Sequence, residues 1–157
     1  MKKQANQKNE KSATVTLLCL VLFFVSFGFF AHSGYEWVQY ILSAIFDVET
    51  DKDVFDLLSS IIALISSIPI FVGAIFAWNL KFHKTNILIA GAVGFLIKNI
   101  IDIISHVFSL TEIAEVTSDD IVKTTGDIGG EFFQIAFWTF VAFLFWKKYK
   151  KYKKGLK

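Results

Sequence analysis

Four long apolar segments divide the chain and constrain its fold more than any other feature. They cover residues 14–31, 55–78, 85–108 and 128–146, and stretches rich in charged residues separate them. A helix needs roughly 20 apolar residues to cross the hydrocarbon core of a bilayer, and each segment is about that long. Because these segments use most of the chain, little remains for a separate soluble domain. The sequence therefore predicts one all-α, polytopic membrane domain with four transmembrane helices, followed by a basic tail at 147–157.

The distribution of lysine predicts how these helices are oriented. All 16 basic residues are lysines, and they are concentrated before the first segment, between the second and third, and after the fourth. The two longer connections, 32–54 and 109–127, are acidic and hold one lysine each. Since lysines near helix ends stay in the cytoplasm, both termini are expected inside and both longer loops outside. The richness in Lys, Ile and Phe is typical of an AT-rich gene, so we expect the inner (plasma) membrane of a bacterium.

Both outer loops contain features of short interfacial helices. Residues 35–46 are aromatic and amphipathic, and Tyr35, Trp37 and Tyr40 are suitable anchors at the headgroup layer. In the second loop, Thr117 followed by Asp120 resembles the start of a helix. We therefore expect room for one interfacial helix in each outer loop.

Polar residues in the apolar segments predict an intramembrane cluster. Lys98, Asn99, Asp102, Ser105 and His106 fall within an arc of about 120° on a helix. The predicted orientation brings polar residues of the other segments to the same outer half. A charge at membrane depth costs on the order of 2.5–3.5 kcal/mol, so these side chains should face one another rather than lipid. The predicted cluster comprises Asp56, Lys98, Asn99, Asp102, His106, Glu131 and Gln134.

The sequence leaves three interpretations of this cluster open. Lys98 and Asp102 are four residues apart, so they can form an ion pair that only fixes helix register. The same residues can instead form a functional pocket for an ion, a proton or a ligand. A third interpretation is that their side chains extend to the outer surface.

No sequence motif indicates catalysis, a metal site or a cofactor. The chain has no HExxH pattern, and its single cysteine, Cys19, cannot make an internal disulfide or a cysteine-based zinc site. His32 and His106 have similar predicted depths, but a haem held by two histidines usually requires deeper ligands. We therefore expect no catalytic residues, no metal and no cofactor.

Small residues and the tail indicate how the protein assembles. Small residues at helical spacing occur in the second and third segments: Gly73, Ala77, Ala90, Gly91 and Gly94. They permit close helix packing, either within one chain or between copies in a homo-oligomer. The tail lysines suited to anionic lipid headgroups or to an acidic cytoplasmic protein are Lys147, Lys148, Lys150, Lys151, Lys153 and Lys154. Binding of nucleic acid by this tail would be nonspecific.

Three functions are compatible with these features. The one we favour is a non-enzymatic, self-assembling membrane subunit that senses or scaffolds at the membrane and works with a cytoplasmic partner protein. Bacterial stress and phage-defence (antiviral) pairs share this architecture, which is an analogy only. The first alternative is an ion or proton channel, or a small transporter, that uses Lys98, Asp102, His106 and Glu131. The second alternative is a membrane enzyme that acts on a lipid or envelope substrate.

Overall fold

The computed structural model consists of four long helices. It describes residues 13–46, 54–79, 81, 84–112 and 117–155. The helices are α1 (Ala13–Phe46), α2 (Val54–Trp78), α3 (Asn86–Glu112) and α4 (Ser118–Gly155). Each is long and apolar enough to span a membrane. The predicted all-helical architecture with four candidate spans is confirmed, as expected of a multi-pass membrane protein.

The first and last helices are longer than the predicted spans. α1 continues without a break through residues 32–46, where the sequence analysis separated a membrane span from a short interfacial helix. That stretch contains no proline, and its only glycine, Gly34, does not end the helix. Within it the Gln39 amide donates to the Tyr35 hydroxyl at 2.7 Å, and Ser43 donates to the Gln39 carbonyl at 2.9 Å. A headgroup location for residues 35–46 stays a prediction.

Helix α4 begins where the Thr117–Asp120 spacing predicts a helix start. Asp120 Oδ2 accepts hydrogen bonds from the Thr117 backbone N–H at 3.0 Å and from its hydroxyl at 2.6 Å. In return, the Asp120 N–H donates to Thr117 Oγ1 at 3.3 Å. This reciprocal pair satisfies donors that a helix start leaves unpaired. The helix then runs for 38 residues to Gly155, so it includes most of the predicted basic tail.

Glycines bring α2 and α3 into close contact. A Cβ atom added at Gly91 would lie 2.8 Å from the Ser66 carbonyl oxygen, and one added at Gly94 would overlap the Ser66 hydroxyl. On the α2 side, a Cβ at Gly73 would overlap Leu88. These three glycines therefore serve packing within the chain. Of the alanines grouped with them by spacing, Ala77 is buried, whereas Ala90 is exposed and lies outside this contact.

Close backbone contacts join only helices that are neighbours in sequence. α1 packs on α2, α2 on α3, and α3 on α4; in the described ranges, no Cα atom of α1 lies within 8 Å of one in α4. Aromatic side chains fill the centre of the bundle. Phe95 of α3 stacks on Trp138 of α4 with ring centroids 4.5 Å apart, and the Phe29 ring of α1 lies 6.5 Å from Trp138. The first and last helices thus share a core through side chains rather than through close backbones.

Candidate functional site

Lys98 is the centre of a buried ion-pair network between α3 and α4. Its ammonium pairs with Asp102 one turn further along α3, and it lies 3.8 Å from Glu131 Oε1 on α4. The three side chains are only 13%, 16% and 11% exposed. Helical spacing places Lys98 and Asp102 on one face, and the close packing of α3 on α4 brings Glu131 to them.

Two amide side chains complete what we call the Glu131 network: Lys98, Asn99, Asp102, Glu131 and Gln134. Asn99 is fully buried. With its amide nitrogen oriented toward acceptors, it donates to Glu131 Oε2 at 3.1 Å and to the Phe95 carbonyl at 3.3 Å. Gln134 donates to Glu131 Oε1 at 3.3 Å, while its own Oε1 is buried without a hydrogen-bond partner in the described part of the chain. The Glu131 carboxylate therefore has a cation and two amide donors around it.

A cavity of about 360 Å³, here called the polar pocket, opens beside this network. Three helices form its walls, each with four residues. They are Phe29, His32, Ser33 and Glu36 of α1; Asp56, Ser59, Ser60 and Ala63 of α2; and Lys98, Asp102, Ser105 and His106 of α3. The ion pair of Lys98 and Asp102 thus belongs to both the polar pocket and the Glu131 network.

The side chains around the polar pocket carry more negative than positive charge. Glu36, Asp56 and Asp102 contribute carboxylates from three different helices, whereas Lys98 is the only lysine among the described residues of the lining. His32 lies 3.8 Å from the Glu36 carboxylate across one helical turn. Counted over lysine and carboxylate side chains alone, the described lining therefore has a negative formal charge.

All seven residues of the predicted intramembrane cluster belong to one polar region, which extends from the first turn of α2 to the middle of α3. Five of them form the Glu131 network, and Asp56 and His106 line the polar pocket beside it. Sequence reasoning missed Glu36, because it placed residues 32–54 in a loop outside the membrane. The four-residue spacing of His32 and Glu36 was the available sign that the helix continues.

The chemistry open to this site is ionic and hydrogen-bonding. Within the described ranges, no group of three or more His, Cys, Asp or Glu side chains is placed to hold a metal ion. The Ser60 hydroxyl in the pocket wall donates to the Leu57 carbonyl of its own helix at 3.1 Å, as serines in apolar helices commonly do. The arrangement offers negative charge and hydrogen-bond acceptors to a cation.

The opposite end of α4 forms a second polar region. Six tail lysines lie on the helix and are exposed: Lys147, Lys148, Lys150, Lys151, Lys153 and Lys154. Trp146 anchors the start of this stretch, since Tyr149 stacks on it at 6.3 Å and the Lys150 ammonium lies 5.0 Å from its ring centroid. The lysines predicted to bind lipid or a partner therefore lie on the exposed surface of the last turns of α4.

No protein-family model, curated protein or solved structure matches this chain. Its function is argued below from the polar pocket, the Glu131 network and the helical tail.

Proposed function

We propose that the protein is a non-enzymatic membrane subunit that self-assembles, senses or scaffolds at the membrane, and works with a cytoplasmic partner protein. One observation carries the proposal: α4 is a single helix that bears both Glu131 and the exposed tail lysines. A structural change around Glu131 would therefore displace the same helix, α4, that carries the exposed tail lysines.

The lysine distribution supports the orientation that this function needs. With both termini in the cytoplasm, the Glu131 network lies toward the outer face and the tail lysines project into the cell. At 1.5 Å per residue, Glu131 and Lys150 are about 28 Å apart along α4, close to the thickness of the hydrocarbon core. Rigid shifts of helices are an established means of passing a change across a protein. We propose the bacterial inner membrane as the location.

Exposed aromatic and glycine faces support self-assembly. Phe24 and Phe27 of α1 and Phe133 and Phe143 of α4 are each at least 60% exposed. The start of α4 also carries three glycines with open space beside them: among the described residues, a Cβ at Gly126, Gly129 or Gly130 would meet no atom within 4 Å outside its own stretch of helix. Glycine costs a helix roughly 1 kcal/mol relative to alanine, and close approach of a second helix is the usual compensation. We propose that copies of the chain pack through these faces of α1 and α4.

The tail supports binding to an acidic surface. Each lysine near an anionic membrane contributes about 1 kcal/mol, so the tail can hold lipid headgroups and an acidic protein in the same region. The proposed partner is a cytoplasmic protein with an acidic face, and a pair of this kind suits bacterial stress or antiviral defence by analogy of architecture.

The tail lysines provide the experiment that tests this function. A variant with Lys147, Lys148, Lys150, Lys151, Lys153 and Lys154 changed to Gln is purified from the native host beside the wild-type chain. We expect a soluble protein to accompany the wild type and to be lost from the variant, with membrane insertion unchanged. Lys123→Gln, an exposed lysine at the other end of α4, is the matched control. Recovery of no soluble protein, together with full activity of the tail variant in cells, would refute the proposal.

The polar pocket favours an ion or proton channel, or a small transporter, as the second candidate. It combines three carboxylates, one lysine and two histidines beside the buried Glu131 network. This function predicts flux in liposomes that contain the purified protein, and altered flux in Lys98→Met. If liposomes that contain the wild-type protein show no more flux than protein-free liposomes, this function is excluded.

A further inference from the structure

The polar pocket includes residues near the start of α2 and near the end of α3. Asp56 is in the first turn of α2, and His106 is near the end of α3. Counted from Asn86, His106 is about 30 Å along α3, which equals the thickness of a hydrocarbon core. The end of the pocket at His106 is therefore expected near the boundary between acyl chains and headgroups, where small polar molecules and lipid headgroups both have access. Lys98, about 18 Å along the same helix, lies deeper.

The charges that line the polar pocket select a cation. Glu36, Asp56 and Asp102 approach it from three helices, and within the part of the chain that the structure describes Lys98 is the only lysine in the lining. That lysine is already paired with Asp102 and lies 3.8 Å from Glu131 outside the lining. An anionic ligand would face carboxylates on every wall, whereas a cation would face an acceptor on each.

The Glu131 network shows which kind of cation this environment accommodates. It already holds one primary ammonium, that of Lys98, between the carboxylates of Asp102 and Glu131. The Phe29 ring that lines the pocket lies 6.0 Å from the same ammonium, within the range of a weak cation–π contact. A primary ammonium offers three N–H donors, which suit carboxylates and serine hydroxyls placed on different walls.

Other cations fit less well. A quaternary ammonium has no N–H to donate and is usually held by several aromatic rings, but among the described residues of the lining Phe29 is the only Phe, Tyr or Trp. For a metal ion, no suitable group of ligands is present in the described part of the chain. The volume of about 360 Å³ is at the lower end of the range for small-molecule sites, roughly 300–1,000 Å³.

We propose that the polar pocket binds the primary ammonium group of a small amine or of an ethanolamine headgroup, with the carboxylates of its lining, Glu36, Asp56 and Asp102, as acceptors. The inference goes beyond the proposed function, since the pocket can bind an amine whether or not the tail recruits a partner. Binding is therefore measured on the isolated protein, and a failed pull-down leaves the result unaffected.

The first test is titration calorimetry on the full chain in phosphatidylcholine nanodiscs. Ethanolamine and putrescine should bind, and choline, which lacks N–H donors, should bind at least about tenfold more weakly. Asp56→Asn and Glu36→Gln should each weaken binding of the primary amines by about tenfold, since each removes one charged acceptor. Asp119→Asn, an exposed carboxylate outside the pocket, should leave binding unchanged. Circular dichroism verifies that each variant keeps its helical content.

The second test distinguishes the two sources of the ammonium group. The protein is released from nanodiscs of mixed phosphatidylethanolamine and phosphatidylcholine and analysed by native mass spectrometry. Selective retention of phosphatidylethanolamine by the wild type but not by Asp56→Asn identifies the headgroup. Binding of free amines without lipid selectivity identifies a soluble amine. Equal binding of choline and ethanolamine, or wild-type affinity in both folded pocket variants, would overturn the proposal, as would the absence of both amine binding and lipid selectivity.

Discussion

At the scale of single residues, Lys98 determines the electrostatic balance of the bundle. Its ammonium pairs with Asp102 and lies 3.8 Å from Glu131, and all three side chains are largely buried. Removing one member of a buried ion pair leaves a charge without compensation, which costs more than the pair itself contributes. The lysine is therefore needed for stability whichever function the site serves.

Lys98→Met should lower the free energy of unfolding by roughly 3–5 kcal/mol, because it leaves buried carboxylates without a counter-ion. Chemical denaturation in detergent measures the change, with Lys123→Gln as an exposed control. The double variant Lys98→Met and Asp102→Leu should have a higher free energy of unfolding than Lys98→Met alone, because one of the uncompensated carboxylates has been removed. Strictly additive effects of the two substitutions would show that the residues are not coupled.

Sequence reasoning placed the α3 members of this network on one face but missed part of their surroundings. Periodicity placed Lys98, Asn99 and Asp102 on one face, because that depends only on the geometry of α3. Glu36 was missed because the polar residues after Ala31 were interpreted as the end of the membrane span, and only the four-residue spacing of His32 and Glu36 indicated that α1 continues. Which helix supplies a partner such as Glu131 depends on tertiary packing, which spacing within one segment does not report.

At the scale of helices, the contact between α2 and α3 is the closest in the bundle. Gly91 sits against the Ser66 backbone and the Ile70 side chain, whereas its neighbour Ala90 is exposed. The sequence predicted close packing at these small residues and left open whether it joined helices of one chain or of two. In the structure, Gly73, Gly91 and Gly94 pack helices of one chain against each other. Periodicity alone could not decide between packing within a chain and packing between two chains.

Gly91→Leu should therefore destabilise the fold strongly, by more than about 3 kcal/mol, because its side chain has no space beside α2. Ala90→Leu, one residue away, should be nearly neutral since its side chain points away from this contact. Thermal unfolding of both variants in the same detergent checks the difference. Equal effects at the two positions would contradict the packing of α2 against α3.

At the scale of the whole molecule, the ends of α4 are the test of orientation. Asp119 is near its first residue and Lys154 near its last, and both are exposed. The native Cys19 is buried and is replaced by serine to give a background without thiols. With both termini inside, an impermeant maleimide should label Asp119→Cys in intact cells and Lys154→Cys only after the membrane is opened. The reverse pattern would invert the topology and place the tail lysines outside the cell.

The burial of Asn99 against Glu131 also has a consequence for biosynthesis. Until α4 has been synthesised, the amide and charged side chains of α3 lack their partner Glu131. Insertion of α3 alone into the lipid would therefore be unfavourable. The insertion machinery should therefore hold α3 until α4 emerges and release the two as a hairpin. Arrested nascent chains that stop before Ser118 should keep α3 next to the translocon, where site-specific crosslinking would detect it.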